Sequence, residues 1–482
     1  MSERPTIISA PIDHADPSHP NHGEPAPGAP GLPSGTLDVI RELTRAVFDL
    51  VLMPARALIY LFERRGREQR LREDLECQAD LSPLPTLEHR DGRALLIFIA
   101  CAEASGEKHA ANLVDAIREL ERECGNEEPR FIGLGGAELA ARGVELIGDP
   151  VSRAAMGFDV FSNLPFYFGL IARFSRVIQA RRPDLFLPVD SPALHVPLAH
   201  IAKRRGVPVV HFVTPQYWGW APWRVRGYRS AVDLALCILP FEQPWFERQR
   251  VRVAHVGHPL LDELSELPVG ETSAAAPATP TLALLPGSRR HVVERNLPWM
   301  LRVLVELRTS LPGLSVVIPQ NDPALEPLIT ELVENSGAAD WVRLAAGELH
   351  TELSQADAAF SVSGTILIDL LHERLPTVVL YRLSNARQNA LYQRFLTCPY
   401  FSSVNLVAGR EILPEFCFYV DDPNEPLSEV VEAVRRSLGD TAWRTECLRG
   451  LEQAAERLGP PGAVDRAARH ALSMASPVSS DA

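Results

Sequence analysis

Two series of short, wholly apolar runs, separated by a stretch too poor in apolar residues to fold, constrain this chain more than any other feature. Leu95–Ala100 opens the first series, and Arg130–Gly133, Leu185–Val189, Val207–Val213 and Leu234–Leu239 follow, with helix-like sequence such as Ala110–Leu120 between them. An apolar run without polar alternation reads as a strand buried on both faces. Both faces are covered when crossover helices connect parallel strands. Pro188 places a break at the end of the third run. Val269–Pro280, rich in small residues and proline, reads as a linker. The pattern then restarts with Leu282–Leu285, a helix from about Val292, and the runs Ser315–Ile318, Ala358–Val362 and Thr377–Tyr381. Two α/β halves made of βαβ units are the expected architecture, and no short-period repeat is visible.

The chain of 482 residues has room for both halves and more. Its 48 Lys and Arg stand against 61 Asp and Glu, a formal charge of −13, which argues against a non-specific nucleic-acid binder. Cys77, Cys101, Cys124, Cys237, Cys398, Cys417 and Cys447 are widely spaced and form no CxxC pair. That argues against a disulfide framework or a structural zinc site and fits a reducing compartment. No apolar run reaches the ~20 residues that span a bilayer, and no secretory signal is recognisable, so a cytoplasmic protein is expected. Residues 1–36 carry eight prolines and are expected to be disordered. Residues 37–76 combine Val47, Phe48, Leu50, Val51, Leu52 and the run Leu58–Phe62 with Arg64, Arg65, Arg67, Arg70 and Arg72. Two readings stay open: a helix lying in a membrane interface, or one packed on the protein with a solvated basic face.

In open α/β sheets, ligands bind beyond the carboxyl ends of the strands. The first run leads into Glu103-Ala104-Ser105-Gly106-Glu107, where a small-residue turn opens a helix and carboxylates flank free amides; a plain capped turn would look the same. Gly133-Leu134-Gly135-Gly136 lacks the GxGxxG spacing of a dinucleotide site and reads as a tight turn. The third run ends in Asp190-Ser191-Pro192, where a carboxylate could act as a general base or merely cap the next helix. Thr214–Trp220, with Trp223 and Arg224, could line a pocket for a sugar or acyl chain, or pack in the core. Pro286-Gly287-Ser288-Arg289 joins a strand to a helix and suits a phosphate. Ser363-Gly364-Thr365, with Asp369 one turn into the next helix, repeats that arrangement, so the pair suggests a diphosphate. The P-loop pattern GxxxxGK[ST] and HExxH are both absent.

These motifs resemble those of bacterial lipid-A-disaccharide synthases, inverting glycosyltransferases of the two-Rossmann-domain GT-B type. The resemblance runs from about residue 93 to about residue 470. It rests on Glu103–Gly106, Phe131–Gly136, Met156-Gly157, Val189–Pro192, Thr214-Pro215, Trp218–Trp220, Pro240–Glu242 and Val256–Pro259. In the second half it rests on Leu284–Arg289, Ser363–Thr365, Tyr381-Arg382 and Asn405–Glu411. It implies two Rossmann-like domains facing across a cleft. An acceptor-binding domain would span 91–268 and a UDP-sugar-binding domain 281–440. Helices of 441–474 would pack back toward the first domain, and a disordered tail (1–36) and a helical extension (37–90) would precede it.

The resemblance further implies transfer of 2,3-diacylglucosamine from UDP to 2,3-diacylglucosamine 1-phosphate, giving the β-1,6-linked disaccharide 1-phosphate and UDP, without a metal or redox cofactor. Asp190 would be the base and Glu103 the second candidate. Gly287, Ser288, Arg289, Ser363, Gly364, Thr365, Asp369, Asn405, Gly409, Arg410 and Glu411 would bind the donor. Ser105, Gly106, Met156, Trp218 and Trp220 would hold the acceptor and its lipid chains. Phe158, Val160, Phe161, Leu164, Phe166, Tyr167, Phe168, Leu170 and Ile171 would offer an apolar patch to acyl chains or the membrane, or else be buried as an ordinary helix. The expected partners are these two lipids and the cytoplasmic face of the inner membrane, bound peripherally; no nucleic acid is expected, and a homodimer is compatible. The chain departs from the family pattern at Ala102, Glu107, Ala193 and Val292, while Asp369 replaces a Glu; Asp190 is retained. The alternatives are a UDP-sugar epimerase, a GT-B enzyme with another acceptor, or a non-catalytic UDP-sugar or lipid binder.

Overall fold

The computed structural model describes residues 34–475, apart from 78, 88, 91–92, 156–163, 321 and 348. In the first half the strands are β1 (Leu96–Ala100), β2 (Arg130–Leu134), β3 (Glu145–Gly148), β4 (Leu185–Pro188), β5 (Val210–Phe212), β6 (Leu234–Cys237) and β7 (Val253–His255). They form ladders β3-β2-β1-β4 and β5-β6-β7, all parallel. Parallel bridges Phe186–Val209 and Val189–Phe212 join β4 to β5, making one seven-stranded layer. The second half contains β8 (Thr281–Leu285), β9 (Ser315–Gln320), β10 (Val342–Ala346), β11 (Ala358–Val362), β12 (Thr377–Leu383) and β13 (Glu415–Tyr419), paired β10-β9-β8-β11-β12-β13, again all parallel.

Both sheets thus have the Rossmann order, in which the chain reverses direction of growth between the first and fourth strands and opens a crevice there. The crevices lie at the ends of β1 and β4, and of β8 and β11. Packing explains the unbroken apolar runs. Leu96, Phe98 and Ala100 of β1 face a cluster with Phe174 and Phe186, while Ile97 and Ile99 face Leu113, Val114, Ile117 and Ala471 on the other side. β8 divides likewise, Leu282 and Leu284 to one face and Ala283 and Leu285 to the other. The cluster beneath Phe98 continues through Leu71, Trp218 and Phe241 to Leu367, Val404 and Leu451, so the halves share apolar packing at their base.

The helix Ser34–Glu76 begins between three and four turns before Val47 and includes Ser34–Thr36, which composition assigns to the disordered tail. Its first turns are anchored. Asp38 is buried and accepts hydrogen bonds from Ser175, Arg204 and Arg205, and Glu42 accepts one from Arg204. Further along, Tyr60 donates to the Phe395 carbonyl, and Leu71, Asp74 and Leu75 are buried, with Asp74 paired to Arg248. The expected extension of helix to residue 90 is not what forms: helix stops at Glu76. Pro83 and Pro85 then hold the chain extended, and Ser82 bonds along His255 at the β7 edge.

The two terminal helices also separate. Thr441–Leu458 stays on the second half, where buried Arg444 donates to the carbonyls of Asp357, Ser437 and Ser273. Ala463–Met474 alone crosses to the first half and packs on Ala104–Glu123, its start capped by Asp262 through the amides of Gly462, Ala463 and Val464. Among the described residues, no helix is long and apolar enough to cross a membrane.

Candidate active site

At the first crevice, Asp190 extends β4 by donating its amide to the Phe212 carbonyl, and the chain then turns sharply. Asp190 and Ser191 both adopt left-handed torsions, φ +55° and +46°, a costly pair of positions for residues with side chains. Two buried histidines hold the turn, His195 Nδ1 and His211 Nε2 lying 2.6 and 3.0 Å from the Asp190 carbonyl oxygen. Burial lowers their pKa values to about 3 and about 4, so each imidazole stays neutral and donates its single proton to that oxygen. The Asp190 carboxyl is raised above the usual range first by burial, and also by the charge of Glu103, against a lowering hydrogen bond from the Ser191 backbone. Gly106 packs against it: a Cβ built there would stand 3.7 Å from Asp190 Cβ.

Glu103 and Ser105 sit exposed at the start of the 20-residue helix Ala104–Glu123. Glu107, the variant position, is buried one turn further. Its Oε1 accepts the amides of Gly136, Glu138 and Leu139 at 2.7–3.3 Å, which closes the Gly133–Gly136 turn to any phosphate.

The second crevice is built from backbone. Gly287 has φ +115°, and a Cβ on it would lie 2.6 Å from Val292 Cγ1, so only glycine fits. Arg289 precedes the helix Arg290–Ser310, and its carbonyl accepts the amides of Val292 and Val293, which leaves the amides of Arg290 and His291 without a partner inside the helix. Ser363 is fixed by its amide on Leu380 and its hydroxyl on Phe401, leaving Gly364 and Thr365 exposed. Asp369 is buried and pushed up to about 6, mainly by burial; His350, 3.5 Å away, opposes the shift. Across the gap, Arg289 Nη2 stands 3.7 Å from Glu103 Oε2. The two crevices therefore face each other.

Other candidates fall elsewhere. Asn405 is wholly buried and fully occupied inside its own turn: Oδ1 accepts the amides of Ile412 and Leu413, and Nδ2 donates to the Leu413 carbonyl and to Glu415. Gly409 lies against the Leu75 carbonyl of the long helix, and Arg410 pairs with Gln453 and Glu446. That segment braces the extension and the Thr441–Leu458 helix, and Glu411 is exposed beside it. Trp218 is a core residue, its Nε1 on Glu242 and its ring edge-on to Phe241, whereas Trp220 is half exposed and bridges to Leu396. Met156 and the Phe158–Phe161 stretch lie outside the described residues. Of the remaining patch, Leu164 is exposed, Phe166–Phe168 are partly buried, and Leu170 and Ile171 are in the core. His195 and His211 had no sequence signal beyond being polar residues inside apolar runs.

Two parallel Rossmann-type sheets whose crevices oppose a carboxylate turn to an arginine are the architecture of GT-B-type enzymes. The model of the lipid-A-disaccharide synthetase family matches residues 97–446, and the chain belongs to that family. It is 35% identical to the lipid-A-disaccharide synthase of Myxococcus xanthus over 79% of this chain and 98% of that protein. With the synthase of Syntrophus aciditrophicus it shares 32% identity over 79% of this chain and 97% of that protein. The fold is similar to that of the S. aureus MnaA–UDP co-structure, with a TM-score of 0.51 and 14% identity over 77% of this chain and 94% of that one. The chain is accordingly an enzyme of lipid A biosynthesis.

Proposed function

We propose that the protein transfers 2,3-diacylglucosamine from UDP to the 6-hydroxyl of 2,3-diacylglucosamine 1-phosphate, forming the β-1,6 disaccharide 1-phosphate and UDP. The observation that carries this reading is that Glu103 and Asp190 share one crevice and that Arg289 of the other stands 3.7 Å from Glu103. Asp190 accepts the proton of the acceptor hydroxyl as its oxygen attacks the anomeric carbon of the donor. The anomeric carbon–oxygen bond to UDP breaks, and its electron pair moves to the β-phosphate oxygen. Burial raises the Asp190 carboxyl above the usual carboxylate range, which makes its ionised form a stronger base. Arg289, the first amides of Arg290–Ser310 and the Gly364–Thr365 turn stabilise the charge that develops on the leaving diphosphate. Glu103 holds Arg289 until the diphosphate replaces it. Asp369 and the Ser363 turn border the donor side, whereas Asn405 shapes the site from behind. Both substrates carry acyl chains, so the protein works at a membrane surface, peripherally and on the cytoplasmic side.

A transferase assay on the purified protein tests this, with both lipids in detergent micelles and disaccharide and UDP followed together. Disaccharide formation is the expected result. UDP binding without disaccharide would overturn the choice of acceptor.

A further inference from the structure

The long helix Ser34–Glu76 is apolar on the side where a helix packed on a soluble protein is polar. Between Val47 and Phe62, Phe48, Leu50, Val51, Leu58, Ile59 and Phe62 all lie exposed, Val51 at 69% and Phe62 at 83%. On the opposite side Tyr60 is 1% exposed, set edge-on to Trp223 and stacked on Phe395. The two charges within this stretch, Asp49 and Arg56, neutralise each other at 2.7 Å. The stretch is about 24 Å long, short of a bilayer's hydrocarbon thickness, and Tyr60 pins it to the protein, so it presents its apolar side lengthwise. Exposed Trp220 and Leu391 stand on neighbouring segments, Trp220 bridged to Leu396 beside Phe395.

Next to this face a cavity of about 380 Å³ opens between the helix and the first half. Arg226 and Arg229 line it together with Arg56, which is held by Asp49, and Arg67, which is held by Glu63, and Trp223 forms part of its wall. From Arg56 to Arg72 the helix has six arginines and two glutamates, although the whole chain is acidic. Apolar side chains beside arginines and a tryptophan are what an interface of acyl chains and phosphate headgroups binds. A second copy seated two-fold on the same face would bring the arginine-lined cavities toward each other, which like charge disfavours.

We propose that the Val47–Phe62 face and the adjoining arginine cavity form a docking site for an anionic phospholipid surface, the cavity receiving a lipid phosphate. The proposal rests on the reading that the substrates are membrane lipids. The extension holds the catalytic crevices at the bilayer where those lipids reside.

Flotation of the full chain with vesicles of phosphatidylcholine, alone or mixed with phosphatidylglycerol, tests it. Wild type is expected to float with the mixed vesicles and weakly with the neutral ones. The double variant V51D/F62D should lose at least about tenfold in binding. R226E/R229E should lose about fivefold or more per arginine on the mixed vesicles alone and weaken the salt dependence. Both variants should keep full transferase activity in detergent. Four results would overturn the proposal: no flotation of wild type, unchanged flotation of both variants, a halved particle mass of V51D/F62D in light scattering, or release by inorganic phosphate beyond that by sodium chloride of equal ionic strength. The third would assign the face to a second copy and the fourth the cavity to a free anion. Wild type that floats as expected but forms no disaccharide in detergent would instead refute the transfer reading and leave the docking site standing.

Discussion

At the break in the first sheet, Asp190 and Ser191 carry left-handed torsions on residues with side chains; at the break in the second, Gly287 carries the left-handed torsion. The strand order on both sides is the same, so the difference follows from what each turn supplies. The second turn offers backbone amides, and a glycine presents them without steric cost. The first turn must present a carboxylate, so the strain, of order 1–3 kcal/mol per residue, is retained and held by the neutral imidazoles of His195 and His211 on the Asp190 carbonyl. Strain marks the half that uses a side chain; glycine marks the half that uses the main chain.

The largest test of that contrast replaces the side chain and keeps the torsion. Asp190→Asn should lower kcat by about 10²–10⁴. Because asparagine tolerates left-handed backbone, its melting temperature should stay near that of the wild type. Asp190→Gly should be as inactive yet more stable, by about 1 kcal/mol, since the strain is relieved. Steady-state kinetics and thermal unfolding read both. A stable, fully active Asp190→Asn enzyme would break the comparison, because the strained turn would then present nothing the reaction needs.

On the other side, Arg289→Ala should reduce kcat/KM for the donor by about 10²–10³ and leave acceptor KM nearly unchanged, with Arg289→Lys intermediate. Equal losses toward both substrates would remove the division of labour between the crevices.

Asn405→Ala sharpens the same division within the second half. Its side chain serves Ile412, Leu413 and Glu415, so the substitution should cost about 2–3 kcal/mol in denaturant unfolding while donor KM changes less than twofold at low temperature. A large KM effect without loss of stability would return Asn405 to the donor site.

Which parts of this were legible in the sequence follows from where each part lies in its sheet. The central strands are covered on both faces and appear as unbroken apolar runs, as Leu95–Ala100 and Ala358–Val362 did. The strands that escaped notice, β3, β7, β10 and β13, are the four edges. Glu145–Gly148 is half exposed, Val342–Ala346 alternates, and Val253–His255 is three residues long, so these three have no apolar run to betray them, whereas β13 has only the short run Phe416–Tyr419. Asp190, Glu103 and Arg289 were found because strand ends at a crevice are sought by rule. The clamp of His195 and His211 was not, since nothing local links either residue to a carbonyl that only the fold brings near. Trp218 and Trp220, two positions apart in one aromatic loop, separate into core and surface because Glu242 reaches the first indole.

The smallest effect expected is the most diagnostic of contact between the crevices. Asp190 must be ionised to take a proton, so activity falls as pH drops through its raised pKa, and Glu103's charge is one cause of that rise. Glu103→Gln removes the charge and frees Arg289 from its partner, and both changes favour the ionised form of Asp190. The acid limb of kcat against pH should therefore move to lower pH, and only slightly, because Glu103 is exposed. Stability carries the same signature. A carboxyl whose folded pKa lies above its unfolded value contributes stability that is complete below the unfolded value and disappears as pH rises through the folded one. Wild type should thus lose slightly more stability than Glu103→Gln over that interval. A limb and a melting profile that both stay in place would put Glu103 outside the electrostatic reach of Asp190. The first crevice would then hold two carboxylates acting separately, and the coupling between the halves would rest on Arg289 alone.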